Sequence, residues 1–155
     1  MVFADVAGST ALVEELGDAR WRELLARFYE AARHHLVLAD GTEVVTTGDG
    51  LLARFAAPAG AVRYGLDLQR VMDSMGLAVR IGAHTAEVEL LGDDIAGVGV
   101  HIGARVAALT APGEVWVTRT VRDVVAGSGL RFEGRGTHEL KGITQPWELH
   151  AAVEA

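Results

Sequence analysis

The sequence predicts an α+β fold, a sheet with helices packed on one face, and three observations carry that expectation. Val2 to Val6 is an apolar run of strand length. Trp21, Leu24, Leu25, Phe28 and Ala32 recur at helical spacing and form a core-facing stripe. Thr42 to Thr47 and Leu51 to Phe55 flank Gly48-Asp49-Gly50 as the two arms of a hairpin. With a second helix and a following strand, the order is that of a ferredoxin-like βαββαβ sheet.

Each further element has its own local signal. A small-residue turn follows the first strand, and Gly17-Asp18 opens the first helix with Asp18 as its N-cap. Asp40-Gly41 ends it. Pro58 starts a second helix running to about Met75, with Ala61, Tyr64, Leu68, Val71 and Met72 on one side. Leu77 to Glu89 reads as one long strand, and Leu91 to Gly97 as a Gly-punctuated loop leading into a helix from Val98 to Leu109. Pro112-Gly113 closes that helix. Glu114 to Val117 is a short strand, Thr118 opens a helix ending near Gly127, and strands follow around Leu130 to Arg135, His138 to Leu140 and Trp147 to Ala151.

The chain of 155 residues is expected to form a single domain over 1–155, since no repeat, low-complexity tract or linker divides it. A net charge of −7 and the lack of a Lys/Arg-rich run argue against nucleic-acid binding, which needs a positive face. With no cysteine, neither a disulfide framework nor a thiolate metal site can form. No apolar run reaches the length of a membrane span and no signal-peptide pattern opens the chain, so a cytoplasmic location without membrane contact is expected. Met1 stands four residues before Asp5, as expected of a module excised from a longer protein.

Two acidic turns carry the chemistry. Asp5, in Phe3 to Thr10, and Asp49, in Thr46 to Gly50, each sit where a strand-like run meets small residues. Each alone also reads as a turn-capping Asp. Together, on neighbouring strands, they could hold two Mg²⁺ ions for phosphate chemistry, with the Val6 carbonyl as a further hard ligand. His101 and Arg105, four apart, leave the same face of their helix. Arg105 lies among Ala104, Val106, Ala107 and Ala108, where a cation either snorkels to solvent or meets an anion. His101 also reads as a packing or surface residue, Lys141 as an exposed lysine before a turn, and Asp94 as a cap for the next helix. His34, His35, His84, His138 and His150 show no metal-ligand spacing, and no Ser/His/Asp arrangement can be assigned.

FADVAGST, TTGDG, DIAGVGVHIGARV and HELKG occur in this order, with PGEVWVTRTVRDVVAGSGLRFEGRG between the last two. On these segments the chain resembles, essentially end to end, the catalytic domain of class III nucleotide cyclases, in particular the bacterial adenylate cyclase branch. The resemblance implies a head-to-tail homodimer with two interfacial active sites and two Mg²⁺ or Mn²⁺ per site. Asp5 and Asp49 match the metal-binding aspartates, and Arg105 the arginine that stabilises the transition state. His101 takes the place of the asparagine that positions the ribose. Lys141 matches the lysine that holds the terminal phosphates, and Asp94 the second purine-selecting position, where Asp favours adenine.

Val45 departs from the pattern, standing where many adenylate cyclases carry the first purine-selecting residue, a lysine. A valine cannot hydrogen-bond the adenine ring, and loss of such a contact costs about 1–3 kcal/mol of binding or discrimination. Ala86 stands where the family often has glycine. The implied reaction is conversion of ATP to 3′,5′-cyclic AMP and pyrophosphate. Two alternatives stand beside it: a guanylate or poorly selective cyclase that accepts GTP, and a catalytically silent domain that binds nucleotide or dimerises.

Overall fold

Val2–Val6 (β1) alternates buried and half-buried residues, and the chain is laid out on both sides of it. The computed structural model describes residues 1–154. After β1 come Ser9–Leu16 (α1), Asp18–Leu38 (α2), Thr42–Thr46 (β2), Gly50–Arg54 (β3), Pro58–Ser74 (α3) and Val79–Ala83 (β4). Glu89–Leu91 (β5), Asp94–Ala96 (β6), Val98–Leu109 (α4), Glu114–Thr118 (β7), Arg119–Val124 (α5), Arg131–His138 (β8) and Trp147–Val153 (β9) complete the described elements. One sheet has the order β2-β3-β1-β4-β7-β9-β8, and β5 and β6 form a separate two-stranded ribbon. Its first half, β2-β3-β1-β4, is the antiparallel ferredoxin-like order; β7 then joins β4 in parallel and the remaining pairs are antiparallel.

Strand alternation divides the interior between the two faces of the sheet. Val2, Ala4, Val6, Val79, Ile81, Val115 and Val117 point to one side, into a core shared with Phe28 and Ala32 of α2 and with Val62, Tyr64 and Leu68 of α3. On the other side Trp116, Leu149 and Ala151 pack with Leu140 and with Ile102 and Val106 of α4. The sequence led us to expect helices on one face; α2 and α3 occupy it, whereas α4 covers the opposite one. Gly82 of β4 permits this, because a Cβ there would collide with the backbone of Ala107.

Four segments differ from the expected elements, the first being β8, which runs unbroken over Arg131–His138 so that no separate strand forms over His138 to Leu140. Ser9 to Leu16 folds as a helix rather than a turn, and Gly17, at φ 79°, separates it from α2 and takes the N-cap position in place of Asp18. The long strand stops at Ala83, six residues before β5 begins, so Leu77 to Glu89 is not continuous. The Leu91 to Gly97 loop is mostly the β5–β6 ribbon.

His84, just past β4, is 3 % exposed, and its Nδ1 lies 2.8 Å from Thr118 Oγ1 at the end of β7. Burial first, and the amino-terminal charge second, push its pKa down to about 4, so the fold holds it neutral. Its contribution to stability is present above the ordinary value near 6.5 and is lost as pH falls towards 4. Denaturant titrations of the metal-free protein should show stability rising by up to about 3 kcal/mol across that interval through this residue. His84→Asn should flatten that part of the profile; an unchanged slope would contradict the assignment.

Candidate active site

β1 brings the two acids together. Asp5 pairs across the sheet with Gly50 of β3 on one side and Arg80 of β4 on the other. The next backbone N–H, of Val6, donates to the Asp49 carbonyl oxygen at 3.0 Å, so the hairpin turn lies against the end of β1. Gly50 allows this closeness, since a Cβ there would collide with the Ala4 carbonyl oxygen. Asp5 shares the α4 side of the sheet with Phe3, whose ring lies against Gly103. Val6 points its side chain into the opposite core, leaving only its backbone carbonyl for a ligand role.

Arg80 was not singled out by sequence reasoning. Its Nε donates to Asp5 Oδ1 at 3.1 Å, with both side chains about one third exposed (34 % and 32 %). The available signal was alternation: Val79, Ile81 and Ala83 are buried on one face, which leaves Arg80 and Gly82 on the other. Burial is the leading influence on the Asp5 carboxyl and raises its pKa; Arg80 opposes this and the Asp49 charge adds to it. The two carboxylates therefore lie close enough to repel.

This donor set suits hard divalent cations. Two half-buried carboxylates and nearby backbone carbonyls are oxygen donors, and their mutual repulsion is relieved by a shared positive charge. Among the described residues no group of three or more His, Cys, Asp or Glu is placed to enclose a metal ion. Asp5 and Asp49 alone would leave coordination positions open, as suits cations that also bind substrate phosphates.

The other candidates lie apart from this pair. On α4 the inward residues are Gly99, Ile102, Gly103, Val106 and Ala107, while His101 and Arg105 are exposed. Neither makes a hydrogen bond or ion pair among the described residues. Lys141 is exposed in the turn after β8, next to Leu140, which is buried beneath α4. Asp94 is exposed on β6, where its Oδ1 accepts from the Ile95 N–H at 2.8 Å; it does not cap α4, whose N-cap is Gly97. Val45 opposes Leu52, and a register shift between Glu43 and Val45 puts these two residues on opposite faces of β2. Glu43 pairs with Arg33 of α2 at 3.1 Å, whereas Val45 joins the α4 side, where β6 touches β2. The Ala86 methyl lies against Gly99, a contact that a side chain on Gly99 would forbid.

The Asp5 carboxyl yields a prediction with a definite sign. Because its folded pKa is raised, its contribution to stability is greatest when it is protonated and declines as pH rises from the ordinary carboxyl value through the raised one. Arg80→Gln removes the influence that lowers this pKa and should move the Asp5 titration higher still. Side-chain carboxyl NMR of the metal-free protein reads this; an unmoved or lowered titration would refute the pairing.

Comparison with known proteins bears on the family and the fold. The model of the adenylate and guanylate cyclase catalytic domain matches residues 1–151. A Rhizobium meliloti protein named "Putative adenylate cyclase 3" is 28 % identical over 152 residues, covering 92 % of this chain but 26 % of its own length. The chain thus spans about a quarter of that relative. The solved adenylate/guanylate cyclase/hydrolase from Silicibacter pomeroyi superposes with a TM-score of 0.82 at 29 % identity, over 99 % of this chain and 95 % of that one. The adenylyl cyclase CyaB from P. aeruginosa shares the fold at 18 % identity, with a TM-score of 0.87 over 99 % and 92 % of the two chains. The paired aspartates on β1 and the β2–β3 turn thus belong to a chain of the adenylate and guanylate cyclase catalytic-domain family, the class III nucleotide cyclases.

Proposed function

We propose that the chain is an adenylate cyclase that converts ATP to 3′,5′-cyclic AMP and pyrophosphate at sites formed between two copies. The observation that carries this reading is the division of the candidate residues. Asp5 and Asp49 converge in one place, while α4 turns His101 and Arg105 outward, away from the strand it covers. Val45, Leu90, Leu91 and Val98 are also exposed, at 48 %, 61 %, 54 % and 65 %, which supports burial of this side against a second copy.

In this reading Asp5, Asp49 and the Val6 carbonyl hold two Mg²⁺ or Mn²⁺ ions. When bound, these supply a lowered pKa for the ribose 3′-hydroxyl and positive charge against the triphosphate. The 3′-oxygen bonds to the α-phosphorus, the bond from that phosphorus to the bridging oxygen breaks, and pyrophosphate leaves with the electron pair. The hydroxyl proton passes to solvent or phosphate. Arg105 of one copy neutralises charge on the α-phosphate oxygens at the acids of the other, and His101 orients the ribose. Lys141 and Arg80 oppose the charge of the phosphate chain, and Asp94 accepts a hydrogen bond from the adenine amino group. Among the described residues no helix is long and apolar enough to cross a membrane.

A second reading, a cyclase that also accepts GTP, is favoured by Val45. Its apolar side chain lies on the α4 side of β2 near β6, so one wall of the proposed purine pocket offers no hydrogen bond.

Two experiments test these readings. Asp49→Ala and Arg105→Ala should each abolish cyclic AMP formation with Mn²⁺, and mixing the two should restore about a quarter of wild-type activity, because half the dimers then hold one intact site. Lack of recovery despite mixed dimers would argue against an interfacial site; wild-type dimers that bind ATP but release no cyclic nucleotide would make the domain silent. Val45→Lys should raise discrimination for ATP over GTP by about tenfold or more. Equal kcat/KM ratios in variant and wild type would remove Val45 from base selection.

A further inference from the structure

The turn that presents Asp49 is held by a residue from outside the sheet. Tyr29, in the middle of α2, places its hydroxyl 2.5 Å from the Thr47 carbonyl oxygen and 2.9 Å from that of Gly50. These carbonyls flank Gly48 and Asp49, so one phenol donor spans the turn. Within the turn, the Thr47 N–H also donates to Gly50 O at 2.8 Å. Gly50 is fully engaged in the sheet beside Asp5, but Gly48 and Thr47 are exposed. Among the described residues no side chain donates to the Asp49 carboxylate.

The tyrosine ring is itself fixed. Phe28, fully buried, meets it edge-on with centroids 5.1 Å apart. The Arg33 guanidinium lies 5.1 Å from the ring centroid and pairs with Glu43 of β2 at 3.1 Å. A phenylalanine could fill the same space and keep both ring contacts. Only the hydroxyl reaches the turn, and burial, its leading influence, together with the Asp49 charge keeps the phenol protonated and able to donate.

We propose that Tyr29 is a positioning residue for cation binding, its hydroxyl holding the Thr47–Gly50 turn so that the Asp49 carboxylate stands beside Asp5 before a cation arrives. The inference rests on the reading of Asp5 and Asp49 as the cation-binding pair. It adds a residue of α2, remote in sequence from both acids, whose effect passes through Asp49 rather than through substrate contact. A carboxylate on a glycine-flanked turn tends to swing away from a second one beside it, and a preset turn removes the ordering cost from the binding step.

Tyr29→Phe tests this beside Tyr64→Phe. Tyr64 donates to Ala32 O at 3.1 Å between α3 and α2, a buried bond remote from the turn. The readout is Mn²⁺ affinity by electron paramagnetic resonance, with Mn²⁺ alone and with Mn²⁺ plus 3′-deoxy-ATP, which cannot react. Tyr29→Phe should bind Mn²⁺ about five- to tenfold more weakly, with little change in metal-free melting temperature. Its activity should recover at saturating Mn²⁺, the half-saturating concentration shifting by the same factor. Tyr64→Phe should lower the melting temperature and leave Mn²⁺ affinity unchanged. Wild-type affinity in Tyr29→Phe, or equal weakening in both variants, overturns the positioning role while leaving the cation site intact. Wild-type protein that binds no Mn²⁺ in either condition overturns the cation site, and the positioning role with it.

Discussion

The register of β1 is the constraint on which the fold and the candidate site both depend. Side chains alternate along a strand, so Val2, Ala4 and Val6 enter the α2/α3 core only if Phe3 and Asp5 face α4. A slip of one residue would drive the Asp5 carboxylate among Phe28, Leu68 and Val79 and expose Val6. Burying an unpaired carboxylate costs several kcal/mol, and the apolar loss adds to it. The register that packs the core is therefore the one that sets Asp5 between Gly50 and Arg80. No separate device is needed to place the first acid.

The second helix layer follows from the same alternation. Gly82, next but one to Arg80 on β4, lets the Ala107 backbone approach closely, and Gly103 accepts the Phe3 ring. Through these contacts α4 packs on the side of the sheet that carries Asp5, and its opposite face remains available to solvent or to another molecule. His101 and Arg105, one turn apart, are on that free face. A helix bound so closely to the sheet cannot roll to bring Arg105 round to Asp5 without losing the packing of Ile102 and Val106 under Trp116 and Leu149. Arg105 is thus turned away from the acids of its own chain by the same packing that stabilises the fold.

The sequence revealed most where local chemistry and packing agree. Asp5 and Asp49 stood out because each sits where a strand-like run meets small residues, and the limits of α3 and α4 followed from Pro58, Gly97 and an unbroken apolar stripe. Helix α1 was missed because its residues bury little: none falls in the buried class, and the glycines on either side read as turn signals. The break after Ala83 was hidden because Val88 to Leu91 continues a strand-like composition that only the two-stranded ribbon explains. Arg80 and Tyr29 were illegible for a different reason. Each acts through a partner distant in sequence, Asp5 in one case and the Thr47 and Gly50 carbonyls in the other, and a pattern of spacing along one chain does not report such pairs. Covering both faces of the sheet was likewise legible only from strand register, since α4 has the same apolar spacing whichever side it covers.

The candidate site is also graded in how firmly the sheet holds its parts. Asp5 and Arg80 are on central strands paired on both sides, where displacement would break two ladders at once. Val45 is on β2, the edge strand, beside a register shift, and Asp94 is on a three-residue strand of the β5–β6 ribbon. Edge strands and short ribbons depend on fewer hydrogen bonds and less buried area, so they change side chains at low cost to the fold. Substituting valine for a cation at position 45 disturbs neither core, because the residue is already exposed beside Leu52. Asp5 and Arg80 are therefore bound to the stability of the sheet, whereas Val45 and Asp94 are not. Positions 45 and 94 can thus change by single substitutions while Asp5 and Arg80 stay fixed by packing.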